Sequence, residues 1–169
     1  MISDKAKYVI DTNVLIEAHR TYYAFDIAPS FWEMIAQNFT DGQIISIDKV
    51  YEELKKGKDV LFDWVGDNIG KNPFYNTGTE NILEIYAEIL NWATTSHQFN
   101  IAAKAEFSQF EYADPWLLAF AKHNGLKIVS QEVFDANTKR KIPLPNACAR
   151  FGVDCINTLA FLREIKFKM

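Results

Sequence analysis

The stretch Tyr8-Val9-Ile10-Asp11-Thr12-Asn13-Val14-Leu15-Ile16 constrains the chain more than any other. A short apolar run ends on a carboxylate, and a polar pair then opens a helical pattern. Tyr8, Val9 and Ile10 suit a buried strand, and Val14, Leu15 and Ala18 recur at helical spacing. Asp11 therefore falls at a strand-to-helix junction, the edge of an open α/β sheet where ligands and metals gather. The same position suits an ordinary helix cap, for which Asp and Asn are the usual residues. Taken alone, the stretch leaves both readings open.

The rest of the chain alternates in the same way. After the helix from Asn13 to Arg20, Ser30 is expected to cap a helix through Phe31 to Ala36, with Glu33 closing a capping box. Ile44, Ile45 and Ile47 form a second strand, closed by Asp48, which caps a helix through Val50, Tyr51, Glu53 and Leu54 that stops at Gly57. Asp59 to Ile69 reads as a helix with Val60, Leu61, Trp64 and Val65 on one side. Asn72-Pro73 and Thr77-Gly78 mark a loop. Glu80 to Thr94 is amphipathic, with Ile82, Leu83, Ile85, Tyr86, Ile89, Leu90 and Ala93 facing inward. Asp114-Pro115-Trp116 opens a further helix that ends at Asn124-Gly125. Leu126 to Ser130 is a third strong strand. A short helix beyond Pro143 and Pro145, a strand within Val153–Ile156 and a last helix capped by Asn157 or Thr158 complete the pattern. Strands alternating with helices predict a mostly parallel central sheet with helices on both faces.

At 169 residues, 49% hydrophobic and 14% aromatic, the chain is sized for one packed domain spanning 1–169, not for disorder. No apolar run reaches membrane-spanning length, and Met1 to Lys5 lead into the first strand without a signal-peptide core, so a cytoplasmic protein is expected. Cys148 and Cys155 lack metal-motif spacing and read as unpaired thiols. The net charge of −4 is unusual for a protein that grips nucleic acid through phosphates. If it handles nucleic acid, its basic residues must be grouped or a metal must offset an acidic centre. The groups Lys55, Lys56, Lys58 and Lys139, Arg140, Lys141 read as solvated faces.

The acidic residues matter through their place relative to strand ends. In a parallel sheet Asp11, after the first strand, and Glu132, two residues past Ser130, should share one rim. Glu53 lies on the helix after the second strand, with Glu52 as its rival. Leu54 beside it and Val50 one turn back favour Glu53 for the buried side. Asp114 opens the helix that leads to the third strand, and as a helix cap it would need no further role. Four carboxylates meeting on an apolar scaffold would repel unless a cation held them. Oxygen-only ligands suit Mg²⁺ or Mn²⁺, and nothing in the Cys/His spacing points to zinc.

This pattern resembles the PIN-domain ribonucleases. The strand ending Asp11-Thr12-Asn13, the pair Glu53-Leu54, and Ala113-Asp114-Pro115-Trp116-Leu117-Leu118-Ala119 match the family's first three acidic motifs in order. Its fourth, a strand ending Thr-x-Asp, reads here Ser130-Gln131-Glu132, with Asp135 as a substitute for the longer glutamate. The resemblance implies a PIN-like three-layer α/β sandwich and a metal-dependent endoribonuclease. Asp11, Glu53, Asp114 and Glu132 would be its catalytic, metal-binding acids, with Asn13 and Ser130 in support through hydrogen bonds. It implies an RNA substrate, a homodimer, and the toxin's place in a toxin–antitoxin pair, silenced by a cognate antitoxin protein. Trp64, Tyr75, Tyr86 and Trp92, in the extra length between Gly57 and Asp114, are expected to serve the core before base stacking.

Three other classes fit less well. A non-catalytic PIN-like module that binds RNA or protein would suit the acidic balance and a misdirected Glu132. A haloacid-dehalogenase-type phosphatase needs an Asp two residues after the first, where Asn13 cannot exchange a proton. A receiver-like signalling domain needs paired acids at the first strand, and Asp11 has no acidic neighbour.

Overall fold

A computed structural model describes residues 2–169. Five parallel strands form the central sheet: β1 (Tyr8–Ile10), β2 (Ile44–Ile47), β3 (Phe74–Tyr75), β4 (Lys127–Val129) and β5 (Cys155–Ile156). Their order is β3-β2-β1-β4-β5, so the chain builds outward from β1 on one side and then on the other. Because the order reverses at β1, the right-handed rule for parallel crossovers places the connections before β3 and those after it on opposite faces. The switch point between β1 and β4 is where such sheets open a crevice.

The central strands are apolar because both faces are covered. Val9, Ile10, Ile44, Ile45, Ile47, Ile128 and Val129 are all fully buried. Ser46 breaks that run, and its hydroxyl donates to the Ile10 carbonyl at 2.7 Å, so the one polar side chain of β2 is paired.

Helices α1 (Thr12–Arg20), α2 (Pro29–Thr40), α3 (Asp48–Gly57) and α4 (Val60–Asn68) precede β3. Then follow α5 (Glu80–Thr95), α6 (Ile101–Phe107) and α7 (Ala113–Asn124), with α8 (Leu144–Phe151) and α9 (Thr158–Glu164) flanking β5. Every residue of α7 from Ala113 to Ala121 is buried, the signature of a helix covered all round. It lies between α5, α8 and the strands β2 and β4. The Tyr86 ring stacks on Trp116 with centroids 3.7 Å apart. Gly125 ends α7 at φ +66°, a left-handed turn that glycine enters without strain and that sends Leu126 into β4.

The expected alternation agrees with this architecture, with local corrections. Ser30 is not a cap: α2 begins at Pro29 after Ala28, because proline supplies the preset first helical residue. Asp48 sits inside the first turn of α3. Its carboxylate accepts from the Lys49 and Thr77 amides and from the Thr77 hydroxyl at 2.8 Å, tying α3 to the loop after β3. Gly57 is the last residue of α3, and Lys58 takes the left-handed position beyond it. Val60 and Leu83, expected inside, are exposed, since each lies off the buried stripe of its helix. Two elements were not foreseen: β3, within the expected loop, and α6, whose cap is the Asn100 side chain. Asn157 caps α9 as expected, accepting from the Ala160 amide. Trp64, Tyr75, Tyr86 and Trp92 are half-buried and pack on the core. Both cysteines are free. Among the described residues no helix is long and apolar enough to cross a membrane.

Candidate active site

The register Ile10↔Val129 brings the ends of β1 and β4 side by side, and the Asp11 amide donates to the Val129 carbonyl at 2.9 Å. Asp11 occupies the N-cap position of α1, yet its carboxylate makes no capping hydrogen bond. It turns instead across the switch point, where Oδ2 accepts from the Ser130 hydroxyl at 2.8 Å. That hydroxyl accepts from Asn13 Nδ2 and from the Glu132 amide, both at 3.2 Å. Two donors into a serine oxygen leave its one proton for Asp11, so the direction of the bond is fixed. Asn13 Oδ1 takes the Gln131 amide at 3.0 Å and completes the lock between α1 and the segment after β4.

Glu53 approaches from α3, where it is half-buried while Glu52 is exposed. The buried Thr12 hydroxyl donates to Glu53 Oε2 at 2.5 Å. Asp114 enters from the first turn of α7, and it too is no cap, because Tyr112 holds that position. Only 7% exposed, Asp114 has an Oδ2 with no hydrogen-bond partner. Asp11, Glu53, Asp114 and Tyr112 line one cleft of about 420 Å³, whose wall along α1 runs through Thr12, Asn13, Ile16 and Glu17 to Arg20. A wider cleft of about 480 Å³, between α2 and α4, is walled by Phe25, Trp32 and Trp64 and carries one carboxylate, Glu33, so the chemistry falls elsewhere.

Glu132 stands differently. Its side chain is 14% exposed and both of its oxygens are engaged: Oε2 accepts the Leu144 amide of α8 at 2.7 Å, and Oε1 pairs with the Lys141 ammonium. Asp135 is exposed and turned away, its Oδ1 accepting from the Asn137 amide.

The acids feel one another. Burial pushes Asp11 up from 3.8 to about 7, and the charges of Glu132 and Glu53 add to it against the Ser130 hydroxyl and the Thr12 amide. Burial likewise holds Asp114 well above the usual range, with Asp11, Glu132 and Glu53 adding and Lys141 opposing. Glu53 is raised by burial, moderated by the Thr12 hydroxyl. Burial and the charge of Asp114 push the Tyr112 hydroxyl up. A buried carboxylate surrounded by others, with one oxygen unpartnered, is costly unless something cationic or protic meets it. Carboxylate oxygens are hard donors that suit Mg²⁺ or Mn²⁺ with water completing the shell. Among the described residues, no group of three or more His, Cys, Asp or Glu side chains stands ready to hold an ion as it is.

Sequence reasoning placed Asp11, Asn13, Glu53, Asp114, Ser130 and Glu132, and the fold gathers all six at the switch point. It missed Thr12, Tyr112 and Lys141. Thr12 carried a signal in its place between two chosen residues, whereas nothing local marked Tyr112 or separated Lys141 from its neighbours.

No curated protein sequence matches the chain. Among solved structures it is similar to FitAcB from Neisseria gonorrhoeae, with a TM-score of 0.52, 16% identity, and 89% of this chain and 96% of that one covered. It is also similar to FitAB bound to an IR36 DNA fragment, with a TM-score of 0.55, 16% identity, and coverage of 89% and 94%. At that identity the likeness is one of fold, the PIN-like architecture. A family model described as a domain of unknown function (DUF4411) matches residues 8–169, and the chain belongs to that family.

Proposed function

We propose that the chain is a Mg²⁺- or Mn²⁺-dependent endoribonuclease, the toxin of a toxin–antitoxin pair. The single observation that carries the reading is Asp114 Oδ2, a buried carboxylate oxygen without a partner, in a cleft that also holds Asp11 and Glu53. The donor chemistry fits a hard divalent cation, which would relieve both the repulsion among the acids and the unpaired oxygen. Such an ion, when bound, neutralises charge on a phosphodiester and acidifies water.

The chain's own groups do the rest. Asp11, Glu53 and Asp114 would hold the ion. Ser130, fixed by Asn13, aims Asp11, and Thr12 aims Glu53. Half-buried Tyr112 limits water at the cleft's edge. Fold likeness to FitAB, a PIN-domain toxin–antitoxin pair, supports an antitoxin partner for this chain, and an acidic cleft suits an arginine- or lysine-bearing segment of such a partner.

Cleavage of total RNA with Mn²⁺ or Mg²⁺, beside an Asp11→Asn variant and an EDTA control, tests the reading. Cutting that requires both metal and Asp11 is the expected result. Folded protein that neither cuts nor binds Mn²⁺ by calorimetry would instead be a PIN-like module that acts by binding alone.

A further inference from the structure

Glu132 has the least need of a metal among the four acids. Its Oε2 accepts an amide at the N-terminus of α8 and its Oε1 an ammonium, so each oxygen has a partner within the fold. Asp114, on the same cluster, has an oxygen that nothing answers.

Lys141 is the other half of that contrast. It stands in a run of three basic residues, Lys139-Arg140-Lys141, at the end of the segment between β4 and α8. That segment is folded back by Asn146, which bonds the Asp135 amide and carbonyl, and by Gln98, whose Nε2 bonds the carbonyls of Ala136 and Thr138. The fold-back delivers Lys141 to Glu132, within electrostatic range of Asp114. Its side chain is 49% exposed, so the ammonium faces solvent as well as the acids. An ammonium has three protons, and the bond to Glu132 uses one of them. Burial alone would disfavour its charge, but Glu132 and Asp114 keep it protonated.

An RNA phosphate approaching a cluster of carboxylates on a chain of net charge −4 is repelled on arrival. It needs a cation at the cluster, and Lys141 is the basic side chain hydrogen-bonded to one of its acids. We infer that Lys141 binds a non-bridging oxygen of the RNA phosphate beside the acids, and that Glu132 is a positioning residue that aims Lys141 and not a metal ligand. The inference rests on the nuclease reading above. It divides the four acids into three for the metal and one for the substrate.

The test measures two affinities on the same proteins. One is the binding of a short, labelled, random-sequence single-stranded RNA by anisotropy in metal-free buffer across a salt series. A phosphate contact is independent of sequence, so a pool suffices. The other is Mn²⁺ binding by calorimetry. Lys141→Met should weaken RNA binding roughly tenfold and lower the salt slope by about one, while Lys141→Arg stays within about threefold of the parent. Glu132→Gln keeps an acceptor for the Leu144 amide but loses the ion pair. It should weaken RNA binding severalfold and leave Mn²⁺ affinity within about threefold, whereas Asp114→Asn loses the Mn²⁺ signal. If Lys141→Met proves unstable because Glu132 is left unpaired, the double variant Lys141→Met/Glu132→Gln carries the same expectation for RNA. RNA binding unchanged in the Lys141 variants overturns the inference while the nuclease reading stands. Loss of Mn²⁺ binding in Glu132→Gln as complete as in Asp114→Asn also overturns it. A folded parent that binds neither Mn²⁺ nor RNA overturns both readings together.

Discussion

Asp114 and Glu132 belong to the same cluster, Asp114 from the first turn of α7 and Glu132 from the loop after β4, with its carboxylate on the N-terminus of α8. Glu132 takes the first amide of α8 and a lysine besides. Asp114, within the first turn of α7, leaves Oδ2 with no partner and is almost wholly buried. The two sites have similar material at hand, so the difference lies in placement. Around Glu132 the fold has completed the electrostatics, and around Asp114 it has not. An unanswered buried charge lowers stability, and its natural explanation is a ligand that arrives later. On the proposed reading, Asp114 is the acid that waits for a cation and Glu132 the acid already in use.

The largest effect should come from Asp114 itself. Asp114→Asn removes one charge from the crowded cluster while keeping the side chain's shape. Metal-dependent cleavage should fall by about a thousandfold or more, as expected when a group acting directly on the reaction is removed. The metal-free variant should unfold at the same temperature as the parent or a higher one near pH 8, because one source of repulsion is gone. Activity retained in Asp114→Asn would break the comparison outright, and thermal scans without metal would show whether the repulsion is real.

The pH dependence of stability follows with a definite sign. The Asp11 carboxyl lies at about 7 in the folded chain against an ordinary 3.8, so between those values the folded state holds a proton that the unfolded state has lost. The Asp11 contribution to the stability of the metal-free protein therefore falls as pH rises from about 4 to about 7, by an amount on the order of a few kcal/mol. Asp114 is raised as well and extends the loss in the same direction. Denaturant midpoints taken across this range should slope downward, and Asp11→Asn should flatten the slope. Mn²⁺ binding near pH 6 should release protons, visible in calorimetry as a dependence on the buffer's ionisation heat. A profile that rises with pH through this window would contradict the crowding of the acids.

A smaller change sharpens the picture around Glu53. Thr12→Val keeps the buried shape and removes the hydroxyl that donates to Glu53 at 2.5 Å. An outer-shell partner of this kind is worth about 10- to 100-fold in metal affinity, so Mn²⁺ titration should show a loss of that order with the fold intact. An unchanged affinity would mean that Glu53 is aimed by other contacts.

The same contrast shows what a sequence can and cannot disclose. Asp11 and Asp114 were legible because their signals are local: a strand ending on an acid, and an acid opening an apolar helix. Glu53 was separated from Glu52 by the apolar neighbours that set its helix face. Glu132 was placed by the parallel direction of β1 and β4, and Ser130 by the family resemblance. The parts that escaped depend on distant contacts. β3 has two residues and exists by pairing with Ser46 and Ile47. Lys141 looked like one of three equivalent surface cations, and only the fold-back held by Asn146 and Gln98 singles it out. Thr12 needed α3 to be set against α1 before its hydroxyl had anything to meet.

Asp135 gives the smallest expected effect and the sharpest check on that lesson. The family resemblance offers it as a substitute for the fourth acid, three residues beyond Glu132. In the fold it is exposed, and its Oδ1 accepts from the Asn137 amide two residues on, a local turn that needs an oxygen but no charge. Asp135→Asn preserves that acceptor. It should leave Mn²⁺ affinity and RNA cleavage unchanged, with a stability difference within about 0.5 kcal/mol, as for surface substitutions that break no special contact. A clear loss of Mn²⁺ binding in Asp135→Asn would mean that the segment after β4 rearranges when metal enters. In that case the pairing of Glu132 with Lys141 would belong to the metal-free state alone, and the division between the acid in use and the acid that waits would have to be redrawn for the loaded protein.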